Sequence, residues 1–454
     1  MPLVLPVVLL FCLLPFSAIQ SLKIIQFVPG LAKSHLLFNE RLACQLTNKG
    51  HEVTLVLQSY YAYLKLKPPC QLKHTFEFYA TRNVSRSHEQ HAILDEVMFK
   101  TPTMDDWTRI WHVFTELMIE TCQDQSSDLD FLAHLRDSHY DLVIGHVFSF
   151  CPMALAHVYD LPRIWACPGL FIPEAFADQI GLPVPVSYVP NIISDLSDRM
   201  NFRQRLGNFV TLVVSPAIMR TFRLDYLPSE VDQLMPAYDY PNWRATFGHS
   251  VPLLLMNGEV SLDFPRPFSH NVYHMGDMDD DVYQSTDFQL SSKWQGVVNS
   301  AQNGAILFSF GTSVDTDRMS QEMIQTFTEA FRNFPDYVII WKFNREKIHV
   351  PLSSNVLVVD WMPQRQLLRD PHLKLFITHG GFNSFMEATR AGVPQLLIPL
   401  WVDQLANSHR AARLGIGQTL PKEYLTTESL TRVMKEVLQE RSAIGLSGLS
   451  YGIK

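Results

Sequence analysis

The hydrophobic pattern of this chain changes period repeatedly, and each change marks an element boundary. Lys23 to Val28 is a short apolar run that predicts a strand, broken by Pro29-Gly30. Beyond the break, Phe38, Leu42 and Leu46 recur every four residues, the spacing of one helix face, and Gly50 caps the helix. Val53 to Leu57 is the next strand. A β-α-β unit of this kind requires a parallel pair joined by a crossover helix. Asp141 to Ile144 and Arg163 to Ala166 read as further buried strands, which makes the first half α/β.

Residues 276–292 (GDMDDDVYQSTDFQLSS) are acidic, polar and aperiodic, and predict a linker. A second α/β region follows it. Ala305 to Phe310 is a strand, Gly311-Thr312-Ser313 a tight turn, and Ser320 the N-cap of a helix with Met323, Phe327, Ala330 and Phe331 on its apolar side. Tyr337 to Trp341, Val356 to Val359, Leu373 to Thr378 and Gln395 to Ile398 supply more strands, and Ser429 to Leu438 a last helix. Short buried runs alternating with helices describe a doubly wound parallel sheet, whose ligands sit beyond the carboxyl ends of its strands. The predicted domains are 21–275 and 293–454, in keeping with two cores for 454 residues.

Composition narrows the class of partner. Apolar residues make up 47% of the chain and charged residues 18%, a globular balance able to bury surface. The formal charge of −8, without any Lys/Arg run, is the wrong footprint for nucleic acid, so a small molecule is the expected partner. Residues 1–20 carry an unbroken apolar run, Leu3 to Leu14, of signal-peptide length, which places the mature chain in the endoplasmic reticulum lumen or outside the cell. No second apolar stretch of transmembrane length follows. Six cysteines (Cys12, Cys44, Cys70, Cys122, Cys151, Cys167) fall in the first 170 residues without metal-ligand spacing; one or two disulfides are expected, in no assignable pairing. Asn83-Val84-Ser85 is a glycosylation sequon in a secreted chain.

The chemistry concentrates between Trp361 and Gln404. The strand Leu373 to Thr378 delivers His379, Gly380 and Gly381 to its carboxyl end, and Asn383-Ser384 open a helix that Gly392 and Pro394 terminate. Free amides at a helix start, reinforced by the helix dipole, favour phosphate. Two glycines let an anion approach the backbone, and an adjacent His can donate a hydrogen bond or positive charge to a departing diphosphate.

This stretch resembles the signature of the UDP-glycosyltransferase family, which includes the animal glucuronosyltransferases. The likeness extends to FSFGTS at 308–313, to Pro29-Gly30 with Ser34-His35, and to YDLVIG before position 146, and so covers nearly the whole mature chain. It implies the GT-B fold: two Rossmann-like doubly wound domains facing a cleft, acceptor on the first and donor on the second. On that resemblance Trp361 stacks on uracil, Gln364 bonds the base or the ribose, and Glu387 accepts from ribose hydroxyls. Ser309, Gly311, Thr312, His379, Gly381, Asn383 and Ser384 surround the diphosphate, while Asp403 and Gln404 grip the sugar. The implied reaction is inverting transfer of glucuronosyl or glucosyl from UDP-glucuronate or UDP-glucose to a hydroxyl of a small lipophilic acceptor, a role in detoxification. The UDP-sugar is a co-substrate and no cofactor is expected; a homo-oligomer is compatible with this picture.

His35, at the start of the first helix, is the implied general base, and a neutral imidazole suits that duty. Family members usually carry Asp or Glu where this chain has His146, to hold the base in its tautomer and stabilise its cation. A second imidazole supplies no negative charge, and Asp141, five residues back, is too far to substitute. Transfer is therefore expected to be slowed or to borrow a carboxylate. The family also continues through further helix and a membrane anchor, whereas these residues stop at Lys454 after a loose tail, so weakened domain closure is expected. Asp277/Asp279, Asp128/Asp130 and Asp315/Asp317 match an Asp-x-Asp metal pattern but sit in the linker and polar loops, so no metal is expected and activity should survive a chelator. Phe99, Trp107, Trp111, Phe114, Phe171 and Phe176 are candidates to line an apolar acceptor pocket, or are ordinary core.

Overall fold

The computed structural model describes residues 21–443 apart from 61–63, 81–92, 94–95, 148, 150, 173–176, 178–180, 193, 222–252 and 277–288. The predicted leader, the Asn83 sequon, Phe176, Asp277/Asp279, most of the predicted linker and the tail after 443 lie outside the described residues.

The first half runs β1 (Lys23–Gly30), α1 (Lys33–Asn48), β2 (Glu52–Ser59), β3 (His74–Tyr79), α2 (Met104–Ser127), α3 (Leu129–Asp137), β4 (Leu142–His146), α4 (Cys151–Val158), β5 (Arg163–Cys167), α5 (Phe202–Thr221), β6 (Leu254–Met256) and β7 (Val272–His274). The second runs α6 (Ser292–Val298), β8 (Ala305–Ser309), α7 (Gln321–Phe331), β9 (Val338–Lys342), β10 (Val356–Val359), α8 (Gln364–Arg369), β11 (Leu373–Thr378), α9 (Phe382–Ala391), β12 (Gln395–Leu397), α10 (Asp403–Arg413), β13 (Gly417–Thr419) and α11 (Thr427–Ala443). The strands form two sheets, ordered β3-β2-β1-β4-β5-β6-β7 and β10-β9-β8-β11-β12-β13. Neighbouring strands pair in parallel throughout both. These are the two Rossmann-like domains of a GT-B protein. Buried runs such as AILFS in β8 leave no polar face because helices cover both sides of a parallel sheet.

In each sheet the strand order reverses once, between β1 and β4 and between β8 and β11. Ligands of open α/β sheets collect at such reversal points, outside the carboxyl ends. His35 lies just past β1 and His146 ends β4; Ser309 ends β8 and His379 follows β11. These four residues thus fall on the two topological switch points.

Local signals explain most boundaries. Ser320 caps α7 by accepting from the Met323 amide at 3.1 Å, and Gly392 ends α9 in the left-handed conformation at φ 65°. Three expectations are corrected. β1 does not break at Pro29-Gly30, because both pair with β2, and only glycine fits at 30, where a Cβ would lie 2.7 Å from Ser59 Cα. The C-cap of α1 is Lys49, with Gly50 (φ 92°) one residue beyond. The helix expected to open at Asn383 starts at Phe382, with Gly381 as its N-cap.

Two disulfides form. Cys44–Cys70 ties α1 to the segment before β3, and Cys122–Cys151 ties α2 to α4, while Cys167 is free and buried. Among the described residues no helix is long and apolar enough to cross a membrane.

The domains interlock. Met98 from the first half is buried in the core of the second, and Trp107 stacks on Trp401 with ring centroids 4.7 Å apart. Phe99 lies against Phe310, 6.5 Å between centroids. Phe99 and Trp107, candidates for an acceptor pocket or for ordinary core, pack against the other domain; Phe171 is first-domain core. Trp111 and Phe114 make an edge contact that continues to Tyr60.

Candidate active site

The floor of the donor side is a pair of glycine turns around His379. β8 and β11 pair with Ser309 level with Thr378, so their next residues emerge side by side. Ser309 Oγ accepts from the Gly311 amide at 3.1 Å, which folds the turn. Gly311 has φ 77°, and a Cβ there would lie 2.7 Å from the His379 ring; at Gly381 the distance would be 2.5 Å. Both glycines are thus required by the imidazole they flank. Thr312 follows in the same turn and is exposed. α9 then begins with no side-chain cap and no acidic residue in its first turn, leaving the amides near Asn383 and Ser384 open to an anion.

His379 is neutral here: burial, helped by the nearby Lys342 ammonium, lowers its pKa to about 4. It offers an N–H donor rather than a charge. The positive charge comes instead from Lys342, at the carboxyl end of β9, whose Nζ donates to the Gly311 carbonyl at 2.6 Å. Lys342 did not stand out in the sequence, although its place at a strand's carboxyl end was a usable signal.

Trp361 follows β10 and is 65% exposed, an unusual state for so large an apolar ring. Gln364 opens α8 and donates through Nε2 to Glu387 at 2.7 Å and to Ser384 Oγ at 3.3 Å. Arg365 donates to the other Glu387 oxygen at 2.9 Å. Glu387 is held rigidly by two neighbours, one of which, Arg365, sequence reasoning passed over.

Asp403 and Gln404 begin α10. Val402 before them adopts φ 43°, ψ −116°, a strained conformation for a β-branched residue, costing about 1–3 kcal/mol, that turns the helix start back toward Gly380. Asn407 fixes the geometry, donating to the Gly380 carbonyl and to Asp403 Oδ2, both at 3.0 Å. Burial pushes the Asp403 carboxyl up to about 6. Gln404 Oε1 accepts from the Leu400 and Trp401 amides at 2.9 and 3.0 Å, so this oxygen shapes the turn.

Across the cleft, His35 is half-buried on the first turns of α1, and His146 is fully buried at the end of β4. Their rings stack, 5.2 Å between centroids and 29° between planes. Burial lowers the His35 pKa to about 4 and drives His146 in the same direction, His35 adding to the effect. Both are neutral at physiological pH. Asp141 is engaged elsewhere, accepting from the Lys23 amide at 2.8 Å.

Asp128 caps α3 through Phe131, and Asp315 accepts from the Asp317 amide while Asp317 accepts from Asn344. These carboxylates serve turns and caps.

The family profile for UDP-glucoronosyl and UDP-glucosyl transferases matches residues 26–448. The Caenorhabditis elegans relative ugt-60, whose name assigns it to the UDP-glucuronosyltransferases, is 30% identical over 462 residues, covering 97% of this chain and 87% of its own. UDP-glucuronosyltransferase 3A1 of Homo sapiens is 29% identical over 424 residues, covering 91% and 77%. Among solved structures, a variant of Os79 from O. sativa in complex with UDP aligns with a TM-score of 0.65 at 16% identity, over 95% of this chain and 94% of that one. The calicheamicin glycosyltransferase CalG4 aligns at 0.60 and 16%, over 96% and 94%. A cleft between two switch points, with its matching profile and relatives, makes this chain a member of the UDP-glycosyltransferase family.

Proposed function

We propose that the protein transfers a hexosyl group, glucuronosyl or glucosyl, from a UDP-sugar to a hydroxyl of a small lipophilic acceptor, with inversion at the anomeric carbon. The observation that carries this reading is the placement of His35 and of the glycine-flanked His379 at the two switch points, with Lys33, on the same helix as His35, 5.6 Å from the Trp361 ring of the second domain. Trp361 stacks the uracil, Gln364 and Glu387 hold the nucleoside, and Ser309, Gly311, Thr312, His379, Gly381, Asn383 and Ser384 bind the diphosphate. Asp403 and Gln404 orient the sugar. The Os79 variant, of the same fold, was solved in complex with UDP, which supports a nucleotide as the ligand of this cleft.

In the reaction His35 takes the acceptor proton as the oxygen attacks from the face opposite the diphosphate. A base must be neutral beforehand, and burial keeps His35 so. The amides of α9 and the Lys342 ammonium stabilise the negative charge that develops on the leaving diphosphate. The cradle supplies this stabilisation from the chain's own groups, which supports transfer without metal. Two disulfides support an oxidising compartment, the endoplasmic reticulum lumen or the exterior, with detoxification as the role.

His146 favours a second reading, a UDP-sugar-binding protein with weak transfer, because the stacked imidazole gives the His35 cation no countercharge. Titration of the purified protein with UDP, followed by a product assay over UDP-sugars and mixed phenols, separates the two. Binding with turnover supports the enzyme; binding without product supports the second reading; no binding sinks both.

A further inference from the structure

The exposed face of Trp361 is approached by two ammonium groups from different domains. Lys342 Nζ, on β9 of the second domain, is 5.2 Å from the ring centroid, and Lys33 Nζ, on the first residue of α1 in the first domain, is 5.6 Å from it. Each position is near the outer limit of a cation–π contact, so the ring attracts both without fully satisfying either. Among the described residues neither ammonium has a carboxylate within 4 Å, although Lys33 feels the Glu40 carboxylate of the same helix at longer range. Lys33 depresses the Lys342 pKa, an effect second to that of burial, so each feels the other's charge.

The placement of Lys33 adds to the mismatch. A cation on the first residue of a helix opposes the helix dipole, and α1 has no acidic residue in its first turn to offset it. The start of α9, also without acidic residues, closes the same cleft. Lys33, Lys342 and these two helix starts make a site of concentrated positive potential spanning two domains beside an aromatic platform. Such an arrangement is unfavourable when empty and favourable around a multiply charged anion.

We propose that Lys33 and Lys342 form a clamp on the diphosphate of a nucleoside diphosphate, one ammonium from each domain, so that the donor itself draws the first domain onto the second. The proposal rests on the donor assignment above and adds to it a first-domain residue that senses the donor. As the nucleobase takes the Trp361 face, both ammoniums move off the ring and onto the phosphates. The pair neutralises two charges of the diphosphate, the task a divalent cation performs in metal-dependent transferases.

The test uses the full chain and calorimetry with two probes, UDP and uridine. Lys33 is exposed, so Lys33→Met leaves the fold intact; Lys342→Met is half-buried and is checked by its melting temperature, with Lys33→Arg as the charge-conserving control. Expected are a rise of roughly tenfold in the Kd for UDP in each Met variant, unchanged uridine affinity, and near-parental UDP binding in Lys33→Arg. Parental UDP affinity in Lys33→Met overturns the clamp while leaving the donor site standing. A parent that binds neither probe overturns the donor assignment and the clamp together.

Discussion

Arg410 of the second domain donates to Asp263 of the first through two nitrogens, at 2.7 and 3.0 Å, with neither side chain more than 3% exposed. The guanidinium also lies over the Phe264 ring, 4.7 Å from its centroid, and donates to Asn407 Oδ1 at 3.0 Å. Asn407 in turn holds Gly380 and Asp403, so a single chain of contacts runs from the first domain to the start of α10, where we propose the sugar binds.

Breaking this pair from one side strands a buried charge. Asp263→Ala is expected to lower stability by about 3–5 kcal/mol, because it strands both Arg410 and Arg266, which meets the other Asp263 oxygen at 3.1 Å, whereas removing all three charges together by Asp263→Leu, Arg410→Met and Arg266→Met costs much less. Urea denaturation of the two variants measures the difference. Equal losses in both would mean that packing, and not the stranded charge, sets the cost.

The stacked His35–His146 pair predicts a separable defect. His35→Ala should abolish transfer and leave the Kd for UDP unchanged, since its proposed task is to take the acceptor proton while Lys33 is the group of the first domain proposed to meet the diphosphate. His146→Asp places a carboxylate against the His35 ring, raising its pKa and stabilising the cation formed during attack. Turnover should rise, and the acid limb of the pH–kcat/KM profile should move from near pH 4 to higher pH. Product formation rates across pH decide it, and a fall in turnover with the acid limb unmoved would count against the role given to position 146.

Strands of four to six residues were legible because an apolar run of that length reports them directly: β10 and β11 match their predicted bounds, and β8 and β9 are within a residue at each end. β6, β7 and β13, three residues each, are too short to carry a period. The glycines and His379 could be read because turn chemistry is local. Lys33 could not, since an isolated lysine has no pattern until folding brings it to the Trp361 ring, and Lys342 carried only the signal of its place at a strand's carboxyl end. The Asp263–Arg410 pair, 147 residues apart, and the pairing of the cysteines are likewise products of topology. Phe99 and Trp107 were readable as aromatics able to pack, but not as residues half-buried against the other domain.

Burial of neutral imidazoles sets the acid stability. His35 and His379 have folded pKa values of about 4, below the unfolded value near 6.5, and His146 shifts the same way. Between those limits the unfolded chain binds more protons, so their contribution is fully present above about pH 6.5 and is lost as pH falls toward 4. Asp403, raised to about 6, and Glu40, also raised by burial, act in the opposite sense, but His134, His157 and His274 are lowered by burial as well, so two carboxyls stand against six imidazoles. The urea midpoint should therefore drop from pH 7 to pH 5, and His379→Asn should flatten that slope; a midpoint that holds steady or climbs on acidification would contradict the assignment of neutral histidines.

Asp403 should discriminate between the sugar and the nucleotide. Its carboxylate is held by Asn407 at the start of α10, beside the Gly380 turn and not against Trp361, so it is placed to accept from sugar hydroxyls. Asp403→Asn keeps the shape and removes the charge. Hydrogen bonds to a charged acceptor contribute about 1.5–3 kcal/mol, so kcat/KM for the UDP-sugar should fall roughly 10- to 100-fold while UDP alone binds as before. Above pH 6 the parental carboxylate is mostly ionised and repels a uronate, so the loss should be smaller with UDP-glucuronate than with UDP-glucose. Steady-state rates with both donors at about pH 7.5, beside calorimetry with UDP, measure this directly. If UDP affinity falls in step with kcat/KM, Asp403 supports the nucleotide instead of the sugar.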